Sequence, residues 1–132
     1  MSTVTTKRDP YEGSHFLKAD DIMGRMEACT AVIDSILPPG AESDARGKVI
    51  DRKIVTFQKT GKQLILSPLN HKVLKINLGP NEEDWPGKNL TLVVRYLDAF
   101  GELDLPCIRI WPEKPIPKSM REKFGEEKPK HQ

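Results

Sequence analysis

A small, mainly β protein, built as a barrel of five short strands with one helix between the third and the fourth, is the fold class the sequence predicts. Three observations carry it. Strand-patterned runs rich in β-branched residues recur along the chain. A single run with the three- and four-residue apolar spacing of a helix interrupts them. Clusters of Pro, Gly, Asn and Asp separate most of the runs. With 132 residues the chain suits one domain with a real but modest core.

Taken in order, residues 1–24 form a polar N-terminal segment in which "SHFLKADDI" makes one turn of helix or simply lies against the domain. Residues 25–37, "RMEACTAVIDSIL", bring partial alternation and β-branched side chains, and read as the first strand. Residues 38–47 are a loop by composition. The second strand covers 48–58, with Ile50, Arg52, Ile54 and Thr56 on one face and Asp51, Lys53, Val55 and Phe57 on the other. A turn centred on Gly61 leads to the third strand at 62–67.

The helix follows at once. Leu69, Val73, Leu74 and Leu78 share one face, Ser67 is the expected N-cap, Pro68 takes the first helical position and Gly79 stops it. In "NEEDWPGK", Trp85 is expected to drop onto the barrel edge as a packing anchor, with ligand stacking as the alternative. Residues 89–100 give the clearest alternation in the chain, and 107–112 close it as the fifth strand. This order, β-β-β-α-β-β, is that of the OB-fold, in which the helix plugs the open bottom of the barrel. The domain is therefore expected over 25–112, followed by a flexible Pro-, Lys- and Glu-rich arm at 113–132. That arm is disordered, a short helix around Met120 and Phe124, or a docking segment.

Composition removes several classes. Cys29 and Cys107 each sit in an apolar, strand-like run, which suits small buried thiols rather than a disulfide framework. His15, His71 and His131 are too scattered to complete a zinc site with them, so neither metal nor cofactor is expected. No apolar run approaches a membrane span and the N-terminus lacks a signal core, so the expected location is the cytoplasm. The acidic clusters, Asp20–Asp21 and Glu82–Asp84, are explained by capping or solvation, and Gly47–Lys48 lacks phosphate-loop spacing. With no acid, base and electrophile holder together, the sequence does not read as an enzyme.

Charge points instead to a polyanion. The net charge is only +2, yet residues 46–112 carry eleven Lys and Arg against seven Asp and Glu. A barrel that binds single-stranded nucleic acid needs cations along the strand path and rings on which bases stack. Arg46, Lys48, Arg52, Lys53, Lys59 and Lys62 supply cations near the second and third strands, with Phe57 as a possible ring. Arg95, Tyr96, Phe100, Arg109 and Trp111 come from the later strands. If Ile108, Ile110, Leu92 and Val94 face inward, Arg95, Arg109 and Trp111 face out as one patch, while Tyr96 faces the core. The same register also suits a plain barrel wall with Trp111 covered by the Pro-rich tail. The preferred contact set is Arg52, Lys53, Lys62, Arg95, Arg109 and Trp111, the cations neutralising phosphates and the Trp stacking. Since only 6% of residues are aromatic, such a binder is weak or oligomerises to multiply its contacts.

A family resemblance joins these features. "FLKADDI", "LILSPLNHKVLKINLG", "DWPGKNLTLVV" and "PCIRIWP" together resemble a group of small bacteriophage and prophage proteins. That group shows an L-N-x-x-N helix start, then W-x-G-K-x-[IVL]-x-L, then a closing [AG]-I-R-[VI] strand. The similarity spans roughly residues 16–112 and is most specific at 84–88 and 108–110. It departs at the helix, where Asn70 holds the first Asn and Val73 or a neighbour stands in place of the second. The resemblance implies a phage-derived β-barrel in a bacterial host cell, and a link to replication or recombination with single-stranded DNA or RNA as partner. The alternative is a phage accessory protein that binds and modulates a host or phage protein. Its support is the Pro-punctuated tail and the acidic first third of the chain.

Overall fold

The computed structural model of the protein describes residues 16–23 and 28–131. Most of the expected polar segment at 1–24, and the expected strand positions 25–27, lie outside them. The described elements are helix α1 (Ala19–Met23), strands β1 (Ala28–Leu37), β2 (Ile54–Phe57) and β3 (Gln63–Ile65), helix α2 (Pro68–Leu78), strands β4 (Asn89–Ala99) and β5 (Glu102–Ile110), and helix α3 (Lys118–Lys123). A 3-10 turn, Glu82–Asp84, lies between α2 and β4. The protein is thus mainly β, with one antiparallel five-stranded sheet in the order β3-β2-β1-β4-β5.

The sheet curls because β1 changes partner halfway. Its first half, Ala28 to Val32, pairs with β4, and its second half, Ile33 to Leu37, pairs with β2. A register shift between Ile33 and Ser35 marks the bulge at the changeover, and a bulge adds local bend and twist. The result is half of a barrel. Among the described residues, the edge strands β3 and β5 do not pair with each other.

Helix α2 forms where the local signals place it. The Ser67 hydroxyl accepts the Asn70 N–H at 3.2 Å, Pro68 opens the helix, and Gly79, at φ +95°, donates its N–H to the Lys75 carbonyl. Leu69, Val73 and Leu74 are buried in the core, as the apolar spacing predicts. On the same helix Asn70 is 2% exposed, and its amide bonds strand β5 twice, to the Ile108 carbonyl and from the Ile110 N–H, both at 3.0 Å. Asn77, two turns on, treats the continuation of that strand in the same way, bonding the Trp111 carbonyl and the Glu113 N–H. Side-chain amides thereby occupy the β5 edge, where a neighbouring strand would otherwise supply backbone groups. At the other edge, Leu17 donates its N–H to the Gln63 carbonyl at 2.6 Å, and α1 then packs on β4 and β5 with Ile22 buried.

Trp85 is a packing anchor, fully buried, with its indole N–H on the Gly79 carbonyl at 3.0 Å. Several strand ends shift by one or two residues, and three differences from the predicted boundaries are larger. Strand β2 begins at Ile54 rather than 48, because residues 40–50 fold on themselves as a small hairpin, with Gly40 and Ile50 donating across it. Strand β5 begins at Glu102 rather than 107, and Pro106 fits within it because β5 is an edge strand. The segment after β5 is the third difference. Ile116, Met120 and Phe124 are buried and belong to the core cluster, so the expected arm contains the short helix that was one of its three alternatives.

Candidate nucleic-acid interface

Ile108 and Ile110 are buried and belong to the core cluster, but burial does not alternate at the end of β5, because Arg109 between them is buried as well. Arg95, Arg109 and Trp111 do converge, but not as an open patch. Arg109 is only 8% exposed, with Nε donating to the Phe124 carbonyl at 3.1 Å and Nη2 to the Lys123 carbonyl at 3.2 Å. Those carbonyls end α3, where a helix has acceptors without partners and a cation is favourable. The expectation that Arg109 faces solvent is therefore corrected. It is the anchor that ties the C-terminal helix to the sheet.

Arg95 is drawn in beside it. Its guanidinium carbon lies 5.6 Å from the Trp111 ring centroid and 5.5 Å from that of Phe124, and Nη2 is 3.9 Å from Glu127. Trp111 keeps 41% of its surface exposed and meets Phe124 edge to face. The chain can come this close only because residue 125 is Gly. A Cβ there, at φ +102°, would sit 2.9 Å from Leu97 Cδ2 and 3.0 Å from Arg95 Cβ. Beyond it, Glu126 and Tyr96 exchange backbone hydrogen bonds at 2.8 and 3.0 Å, which extends the sheet by one bridge. Cys107 lies under the same region. Burial pushes its thiol pKa up against the opposing effect of Arg109.

The other half of the expected set lies elsewhere. Arg52 is exposed in the connection between β1 and β2. Lys53 is half-buried and paired with Glu82, which also meets His71 Nε2 at 3.1 Å. Burial alone would raise the Glu82 carboxyl pKa, but the hydrogen bonds from Lys53 and His71 outweigh it and hold it below the usual range. Lys62 is half-buried at the start of β3, with its backbone N–H on the Thr60 hydroxyl at 3.1 Å. Phe57, 3% exposed, is a core residue and not a stacking surface.

Two groupings had no signal in the sequence read locally, and a third was visible there. The Lys53–Glu82–His71 cluster joins residues up to 29 apart. Asp98, Asp104 and His131 bring their ligand atoms within 4.8 Å of one another. This second cluster is a clip for the chain end, since the Asp104 carboxylate accepts the Lys130 and His131 N–H groups at 2.7 Å each. Burial would raise the Asp104 pKa, and these backbone donors lower it. The third grouping is the set of exposed cations that the sequence supplies on the β1–β2 connection and the β2–β3 turn: Arg46, Lys48, Arg52 and Lys59. The connection is shaped by Asp44, whose carboxylate accepts the Arg46 and Lys48 N–H groups at 2.9 Å. The Lys48 hydrogen bond above all lowers its pKa.

Compared with models of known protein families, with curated proteins and with solved structures, the chain matches none of them.

Proposed function

We propose that this is a non-catalytic single-stranded nucleic-acid-binding protein of phage derivation, acting in replication or recombination. In this reading its half-barrel is an OB-like fold left open between β3 and β5. Such folds bind strands over β2 and β3 and along the flanking loops. The observation that carries the reading is the charge there. Residues 46–62 hold six Lys and Arg and one acid, Asp51, and four of those cations are exposed. Arg109 is excluded from the contact surface by its bonds to α3. The contact set is therefore Arg46, Lys48, Arg52 and Lys59, with Lys62 at its edge.

The test is fluorescence anisotropy of a labelled oligo-dT strand at low and physiological salt, with duplex DNA as competitor. Replacing Arg46, Lys48 and Arg52 together by Ala should weaken binding and flatten the logarithmic salt slope by about 2, at roughly 0.7 for each phosphate no longer neutralised. Unchanged affinity in the folded triple variant would reject this surface.

One observation favours the second reading, a phage accessory protein that binds another protein. Phe100 is 93% exposed and Leu103 63% exposed at the tip of the β4–β5 hairpin. Binding through such an apolar tip would change little with salt, whereas phosphate contacts weaken steeply.

A further inference from the structure

The β4–β5 hairpin ends in a two-residue turn, Phe100 at φ +54° and Gly101 at φ +76°, closed by the pair Ala99 and Glu102. Turns with two positive φ values strongly prefer Asn-Gly, Asp-Gly or Gly-Gly, because a Cβ is strained there. A bulky ring at the first position is an outlier. Phe100 is also 93% exposed, so among the described residues its ring obtains almost no burial in return for that strain. Strain of this kind persists where a contact outside the element uses it. Leu103 stands exposed beside it, and exposed Asp98 and Glu102 surround the pair with negative charge.

The same chain holds a cleft of matching chemistry. It is an open surface depression of about 460 Å³, whose apolar lining includes Trp111, Pro115, Ile116 and Phe124. Lys114 and Arg121 line it with the mostly buried Arg95, which already meets Glu127, and with Glu126, so the cations outnumber the acids by one. It has room for an aromatic ring and attracts acidic flanks.

We infer that the Phe100 tip docks into the Trp111–Phe124 cleft of a second copy of this chain, forming a two-fold pair. Arg95 and Phe100 lie on one ribbon, five residues apart, or about 17 Å at the usual strand rise. A two-fold axis between tip and cleft lets each copy insert its tip into the other at once, which is the self-complementary contact of the commonest dimers. This inference is independent of nucleic acid and concerns a different face from the Arg46–Lys59 surface.

The experiment is sedimentation equilibrium of the full chain without nucleic acid, over a wide concentration range. The expected mass rises to that of two chains. The key variant is Phe100→Asn, because Asn accepts a positive φ: association should weaken at least about tenfold, while at a concentration low enough for the parent to be a single chain the melting temperature should rise. An equimolar mixture of Phe100→Asn chains with Trp111→Ala chains keeps one intact tip and cleft, and should pair more tightly than either variant alone. A single-chain mass at every concentration overturns the proposal. So does a Phe100→Asn variant that associates as tightly as the parent, or a mixture no tighter than its components.

Discussion

The two halves of the sheet use cations in opposite ways. On the β2–β3 side, Arg46, Lys48 and Arg52 stand in solvent on a connection shaped by Asp44 and a few turns, and Lys59 stands in solvent on the turn after β2. On the β4–β5 side, Arg109 is buried under α3 and Arg95 lies against two aromatic rings. The side chains are chemically alike. What differs is whether the chain supplies acceptors: the end of α3 presents free carbonyls to Arg109, and among the described residues nothing comparable is bonded to Arg52. A count of charges in the sequence thus measures supply, and only packing decides which charges remain for a partner.

The widest contrast comes from one substitution on each side. Arg109→Ala removes two charge-assisted hydrogen bonds and leaves the Phe124 carbonyl in a buried setting and the Lys123 carbonyl in a part-buried one, so urea denaturation should show a loss of about 2 kcal/mol. Arg52→Ala should change stability by no more than about 0.5 kcal/mol, as for surface sites in general. Equal losses at the two positions would erase the distinction.

An effect of similar size tests how the C-terminal segment is held. Gly125→Ala places a Cβ against Leu97 and Arg95 at a positive φ, and should cost about 2 kcal/mol. Amide exchange should speed up first at Tyr96 and Glu126, whose bridge depends on that approach, and later in β2 and β3.

The smallest effect lies on the opposite side and depends on pH. Glu82 has a lowered pKa in the folded protein, so its contribution to stability is complete above the ordinary carboxylate value of about 4.3 and fades as pH falls through the lowered one. Glu82→Gln should therefore be less stable than the parent at neutral pH, with the gap closing in acid. Melting temperatures measured from about pH 7 down to about pH 3 would show it, and a gap constant with pH would mean that the charge of Glu82 contributes nothing.

The parts of this fold that are legible in the sequence are those set by neighbours along the chain. Ser67, Pro68 and Gly79 bound α2 through caps that need only adjacent residues, and the strand over 89–99 is legible from its β-branched run, although its burial alternates only as far as Leu92 because Val93 is buried beside it. Trp85 is legible because a large ring in a tight turn must find cover. The boundaries of β2 and β5 are not, since alternation continues into 48–53 while Asp44 and the 40–50 hairpin draw that stretch away. Arg109 escapes a local reading for a related reason. Its orientation follows from the period of the strand, but the cover over it comes from Lys123 and Phe124, whose own spacing shows a helix and not where that helix lands.

The amides of Asn70 and Asn77 have a further consequence. A sheet with two unpaired outer strands is a template on which another chain can add a strand, and such growth ends in aggregation. Here the template is blunted at both ends. The two Asn side chains occupy backbone groups between residues 108 and 113, and Leu17 occupies the Gln63 carbonyl on the far strand. The open half-barrel is thereby protected from runaway strand addition without the seam between its edges being closed.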